Sequence, residues 1–145
     1  MKHLLAIATV AALAPCAVLA QDTPGSHFIA NWDLDASGAV SVAEITERRE
    51  MVFNMFDNDQ NGMLDAEEYV MFDETRAADM EMNAGGHGKG GDRMQVGLTL
   101  AFNDTNQDGA VSMEEFISQS AAWVAQVDRD GDGEITAGDF GPQGS

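Results

Sequence analysis

The chain has 145 residues, with 7 Lys+Arg against 25 Asp+Glu and a formal charge of −18. So acidic a chain excludes nucleic acid as a ready partner, because phosphate binding needs clustered Lys and Arg, and it disfavours docking on anionic lipid. Twenty-five carboxylates call instead for cations, and 17 of them fall in four short segments.

In chain order, the first element is a targeting segment. Met1-Lys2-His3 is a short positive start, residues 4–14 (LLAIATVAALA) are apolar, and Val18-Leu19-Ala20 offers a cut before Gln21. That is the layout of a secretory signal peptide over residues 1–20, too short to span a bilayer stably. Cutting there removes Lys2 and no acid, leaving −19. It also removes Cys16, the only cysteine. A lipid-modified Cys16 is the less favoured reading, because Pro15 stands where such signals want a small residue. The mature chain then has no disulfide, no zinc–thiolate site and no thiol nucleophile. A small secreted domain without disulfides needs another staple, commonly a metal. After cleavage no stable membrane insertion is expected.

Next comes a repeat. The string D-x-[D/N]-x-[D/N/S]-G-x-[V/L/I] occurs at residues 33–44 (DLDASGAVSVAE), 57–68 (DNDQNGMLDAEE), 104–115 (DTNQDGAVSMEE) and 128–139 (DRDGDGEITAGD). Position 6 is always glycine: Gly38, Gly62, Gly109 and Gly133. Position 8 is always aliphatic: Val40, Leu64, Val111 and Ile135. Position 12 is always an acid. Ca²⁺ takes six to eight hard oxygen ligands, and a chain wrapped round the ion supplies them from positions 1, 3 and 5, the carbonyl of 7, position 9 and a bidentate acid at 12. Glycine at 6 permits the sharp turn. The aliphatic at 8 lets two loops join as a short antiparallel ribbon above a core.

These loops resemble the EF-hand family over most of residues 26–140. The resemblance implies helix–loop–helix units, an all-α fold and Ca²⁺ binding. Carried over by position, loop one offers Asp33, Asp35, Ser37, the Ala39 carbonyl, Ser41 and Glu44. Loop two offers Asp57, Asp59, Asn61, the Met63 carbonyl, Asp65 and Glu68. Loop three offers Asp104, Asn106, Asp108, the Ala110 carbonyl, Ser112 and Glu115. Loop four offers Asp128, Asp130, Asp132, the Glu134 carbonyl, Thr136 and Asp139. Up to four Ca²⁺ are implied. Two departures stand out. Loop one has serines at positions 5 and 9. Loop four ends in Asp139, one methylene shorter than Glu and suited to one-oxygen ligation, which favours the smaller, octahedral Mg²⁺ relative to Ca²⁺ there. Loop four is also followed by Gly141-Pro142, which cannot continue as a helix.

Loops one and two start 24 residues apart, as do loops three and four. Only residues 45–56 and 116–127 separate them, without Gly or Pro, so each stretch reads as one shared helix of about 18 Å. Loops at opposite ends of a straight helix cannot pair with each other. The expectation is therefore that loop two pairs with three and loop one with four. Ile45, Val52, Phe53 and Phe56 form one core stripe, and Phe116, Trp123, Val124 and Val127 the other. A long exiting helix over residues 66–83 and an entering helix over 93–103 flank a linker, residues 84–91, with five glycines in eight positions. The domains read as 1–20 signal peptide, 21–83 with loops one and two, 84–91 linker, and 92–145 with loops three and four.

The remaining candidates carry less. Eight methionines of the mature chain read first as core filling, with an adaptable apolar groove as the alternative. Met80-x-Met82 with His87 is a weak copper pattern. His27 falls near the start of the first helix and His87 in solvent. Glu47-Arg48-Arg49-Glu50 reads as the wet face of a helix. Asn103 departs from the pattern of apolar residues directly ahead of the loops (Trp32, Phe56, Val127). No Ser/His or Cys/His pair stands apart from the loops, so the chain reads as a non-enzyme with no catalytic residues. The function read from the sequence is calcium binding in the bacterial periplasm, as a Ca²⁺ buffer or a Ca²⁺-responsive binding protein. The alternatives are a Ca²⁺-stapled structural module, or a sensor showing a Met-rich groove to an unidentified protein partner.

Overall fold

The computed structural model describes residues 23–82 and 91–141. The signal-peptide segment with Cys16, His87 with residues 84–90 of the linker, and Pro142 onward lie outside the described residues. In chain order the elements are α1 (Ser26–Trp32), β1 (Ala39–Ser41), α2 (Val42–Phe56), β2 (Met63–Leu64), α3 (Ala66–Met82), α4 (Gly91–Val96), α5 (Leu100–Asn103), β3 (Val111–Ser112), α6 (Met113–Ser118), α7 (Ser120–Val127) and β4 (Glu134–Thr136), closing with a 3₁₀ turn at Ala137–Asp139. Among the described residues no helix is long and apolar enough to cross a membrane.

The chain is mostly helical, and its strands are the pairing segments of the acidic loops. Strand β1 lies antiparallel to β4 with Val40 opposite Ile135. Strand β2 lies antiparallel to β3 with Leu64 opposite Val111. Loop one thus meets loop four, and loop two meets loop three. All four aliphatics are fully buried, because each caps the core from above.

The 15 residues of α2 run unbroken from β1 to the start of loop two. The stretch between loops three and four differs from the single helix expected there. It breaks at Gln119 into α6 and α7. The reason lies in side chains that take the carbonyls of the last turn of α6. Ser118 Oγ donates to Glu115 O, Ser120 Oγ donates to Ile117 O, and Arg49 donates to Phe116 O. Hydroxyls that bond back to helix carbonyls compete with the helix ladder. The entering helix expected over 93–103 is likewise two short helices. Thr99 caps the second, its hydroxyl accepting the Phe102 amide.

One apolar cluster draws on both sides of the glycine-rich stretch. Phe28, Trp32, Trp123 and Phe140 form one aromatic group, with Trp32 and Trp123 edge to face at 4.9 Å. Phe53, Phe56, Tyr69, Phe72 and Phe116 form a second. Burying each such ring contributes roughly 1.5–3 kcal/mol. Of the expected stripes, Ile45, Phe53, Phe116, Trp123, Val124 and Val127 are buried, while Val52 and Phe56 are partly buried against them. Met94 is buried in the core and Met113 packs against it, whereas Met51, Met55, Met71 and Met82 are exposed. Core filling is thus the wrong reading for these four.

Trp123 fixes where α4 can lie. Its indole Nε1 donates to Met94 O at 3.0 Å. A Cβ on Gly97 would stand 1.9 Å from Trp123 Cδ1, so only glycine fits beneath the ring. Gly97→Ala should destabilise the fold by about 1–3 kcal/mol through overpacking, read as a lower midpoint in denaturant titration. An unchanged midpoint would contradict this packing.

Candidate metal sites

Each loop starts at a helix C-cap: Asp33 after α1, Asp57 after α2, Asp104 after α5 and Asp128 after α7. The carboxylate of that first Asp accepts the position-6 amide in every loop, from Gly38, Gly62, Gly109 and Gly133 at 2.8–3.0 Å. Position 6 is left-handed throughout, with φ between 82° and 90°. Position 4 is left-handed too: Ala36, Gln60 and Gln107 have φ near 60°, and loop four has Gly131 there. A left-handed non-glycine residue costs about 1–2 kcal/mol, which the surrounding hydrogen bonds must offset.

Position 3 accepts the position-5 amide, as Asp35 does from Ser37 and Asn106 does from Asp108. Position 5 accepts the position-7 amide, as Asn61 does from Met63, Asp108 from Ala110 and Asp132 from Glu134. In loop one Ser37 Oγ accepts the Ala39 amide at 3.4 Å and also donates to the Ala39 carbonyl at 3.1 Å. These bonds fold the side chains at positions 1 and 3 back over their own loop in all four cases.

Position 12 closes the loop. Glu44 accepts the amides of Leu34 and Asp35, Glu68 that of Asn58, Glu115 those of Thr105 and Asn106, and Asp139 that of Arg129. The second oxygen accepts the position-9 amide, from Ser41, Asp65, Ser112 and Thr136. Ser41, Ser112 and Thr136 return a bond to the amide chain as N-caps, so positions 9 and 12 form capping boxes. That signal, S-x-x-E at Ser41 and at Ser112, is readable in the sequence. Asp139 reaches the same partners with a shorter side chain because a 3₁₀ turn, tighter than an α-turn, carries it.

The electrostatics follow from these bonds. The Gly38 amide holds the Asp33 carboxyl below its usual range, and the Gly133 amide does the same for Asp128. The Ser41 amide lowers Glu44. Glu115 is pushed down to about 2, first by the Ser112 amide and further by the Ser112 and Thr105 hydroxyls. Asp130 goes the other way. The Asp132 amide lowers it, but desolvation and the charges of Asp132, Asp139 and Asp128 together raise it. Loop four thus gathers more negative charge than its own amides neutralise.

Three trios bring one carboxylate oxygen each within 4.8 Å of the others: Asp33, Asp35 and Glu44; Asp57, Asp59 and Glu68; Asp128, Asp130 and Asp139. Loop three has Asn106 at position 3, and among the described residues it forms no such trio. The donors are all hard oxygens, with no imidazole or thiolate among them, which fits Ca²⁺ or Mg²⁺ rather than a softer metal.

Other polar groups escaped the sequence reading. Arg49 belongs not to a wet face but to the interior, where it is fully buried with Asn103. Asn103 Nδ2 reaches the Tyr69 hydroxyl at 3.2 Å, and Tyr69 donates to Leu98 O at 2.8 Å. Burial pushes the Tyr69 hydroxyl up to about 12. The polar Asn103 amid apolar neighbours was the one available sign of this network. His27 lies in α1, with Nε2 3.3 Å from Asp79 on α3.

A protein-family model described as EF hand matches residues 49–73, 101–118 and 122–141, which contain loops two, three and four. Loop one lies outside the matched segments. These three matches support an EF-hand calcium-binding family, and together with the acidic groupings they suggest calcium binding. No curated protein matches the chain.

The lowered Glu115 carboxyl makes a pH prediction for the metal-free protein. Its pKa of about 2 lies below the usual 4.5, so its contribution to stability is complete above about 4.5 and is lost as pH falls towards 2. The melting temperature should fall through that window, and Glu115→Gln should make the fall shallower. Identical pH profiles for the two proteins would refute the assignment.

Proposed function

We propose that the protein is exported to the bacterial periplasm and binds up to four Ca²⁺ reversibly through its four loops, as a high-capacity buffer with limited opening. The observation that carries the reading is the recurrence of one scaffold four times: a first Asp bonded to the position-6 amide, and a position-12 acid folded back over the loop. The side chains named for positions 1, 3, 5, 9 and 12, with the carbonyls of Ala39, Met63, Ala110 and Glu134, would hold the ions. Bound Ca²⁺ supplies positive charge at sites crowded with carboxylates; four ions would bring the mature chain from −19 to −11. Outside the cytosol Ca²⁺ is abundant, which suits extracellular sites of roughly 10⁻⁴–10⁻³ M. No step of this reading requires catalysis.

Calorimetric titration with circular dichroism tests it. Chelator should lower helicity and melting temperature strongly, because a ligand that binds only the folded state stabilises it. A chelated form that melts within a degree or two of the Ca²⁺ form would sink the proposal. Export is tested separately: the mature protein should begin at Gln21.

Loop four is the weak or Mg²⁺-tolerant site in this reading, because Asp139 is one methylene shorter than the glutamates that close the other three loops and is suited to one-oxygen ligation. Asp139→Glu should tighten the weakest Ca²⁺ step. No change in that step would count against it.

A sensor is the second reading, and one observation favours it. A cavity of about 280 Å³ opens between α1, α2, α3 and α4, its lining including Phe28, Trp32, Met55, Phe56, Phe72 and Met94, with Met55 exposed at 69%. A sensor would change that apolar surface on binding Ca²⁺. A large Ca²⁺-dependent signal from a hydrophobic dye, on a chain already folded, would replace the buffer reading with the sensor.

A further inference from the structure

Arg49 lies in the middle of α2 with no exposure to solvent. Its guanidinium lies 4.0 Å above the Phe116 ring and 5.2 Å from the Trp123 ring. Among the described residues no carboxylate forms an ion pair with it. Its partners are oxygens of neutral groups instead. Nε and Nη2 donate to Phe116 O at 2.8 and 2.6 Å, Nη1 donates to Gly97 O at 2.9 Å, and Nη2 donates to Asn103 Oδ1. A buried cation is costly unless its donors are satisfied, and truncating it would strand those oxygens.

The identity of the partners matters more than their number. Asn103 directly precedes Asp104, the first residue of loop three. Phe116 directly follows Glu115, its last. One planar guanidinium therefore ties the two ends of loop three together. Gly97 O adds the turn ahead of α5, which Asn103 Nδ2 also contacts at 3.1 Å. Trp32, Phe56 and Val127 stand where Asn103 stands, so the side chain ahead of each other loop offers no oxygen to such a donor.

We propose that Arg49, acting through Asn103 and the Phe116 carbonyl, is a positioning residue for cation binding at loop three. It presets the separation of the two loop ends that bear Asp104 and Glu115, and it does so from the helix that runs between loops one and two. The inference rests on the calcium reading above.

The test is a Ca²⁺ titration of the ¹⁵N-labelled mature protein by NMR, with the Gly38, Gly62, Gly109 and Gly133 amides as one reporter per loop. In Arg49→Met the Gly109 midpoint should rise about tenfold or more, the range seen when groups that orient metal ligands are removed. The Gly38 and Gly133 midpoints should stay within about threefold, as distant sites do. Arg49→Lys, which keeps the charge and loses the fork, should fall between. Asn103→Leu should weaken loop three alone, and in the double variant it should add little to Arg49→Met. A Gly109 midpoint that moves no more than that of Gly133 would overturn the inference, since a merely structural role would affect all loops alike. If Arg49→Met fails to fold, an unchanged Gly109 midpoint in Asn103→Leu overturns it equally. If no reporter in the unsubstituted protein responds to Ca²⁺, the calcium reading falls and this inference with it; if they respond and the variants titrate as the unsubstituted protein does, this inference falls alone.

Discussion

Helix α2 keeps loops one and two apart. Its 15 residues span about 22 Å, whereas a ladder of paired strands needs backbones within about 5 Å. Neither loop can therefore pair with its sequence neighbour, and each must find a partner in the other half of the chain. The two ladders, Val40 with Ile135 and Leu64 with Val111, answer that constraint at opposite ends of one core. The halves interlock as a result. The aromatic residues of α1, α2 and α3 pack on those of α6 and α7, and Arg49 bonds across the same boundary.

The surface of this arrangement works against its own charge. Each loop uses carboxylates to satisfy backbone amides left open by the turns, and so gathers several acids around one small volume. Hydrogen bonds from backbone amides lower the Asp33, Glu44, Glu115 and Asp128 carboxyls. They do not remove the repulsion, which surfaces at Asp130. A cation relieves what the amides cannot.

The loops and their pairing were legible because their rules are local. Glycine at position 6 and an acid at position 12 are demanded within twelve residues, and the 24-residue spacing then dictates which loops meet. The break at Gln119 was only partly legible: Ser118 and Ser120 stand beside it in the sequence, but Arg49 arrives from 67 positions away to take the Phe116 carbonyl. Arg49 itself sits in a charged tetrapeptide that looks solvated. Only its neighbours in space, Asn103 and two aromatic rings, reveal it as interior. Met94, Val96, Leu98, Leu100 and Phe102 alternate along the chain with no helical period, and the indole of Trp123 demands a glycine at 97, where the expected entering helix divides. Exposed methionines such as Met55 failed for the same reason: composition reports supply, and burial is decided by contacts far along the chain.

The ladder between β1 and β4 also sets an order of events. Val40 and Ile135 are 95 positions apart, so a chain emerging amino-terminus first presents loop one long before its other strand exists. Loops two and three, 47 positions apart at Leu64 and Val111, can close earlier. Contacts that distant in sequence form late, since the entropy of closing the intervening chain must be met first. Until the last strand is in place, the edge of loop one is open and Val40 lacks its partner Ile135. The inner ladder is thus the natural seed of the fold, and the outer ladder is the seam that completes it.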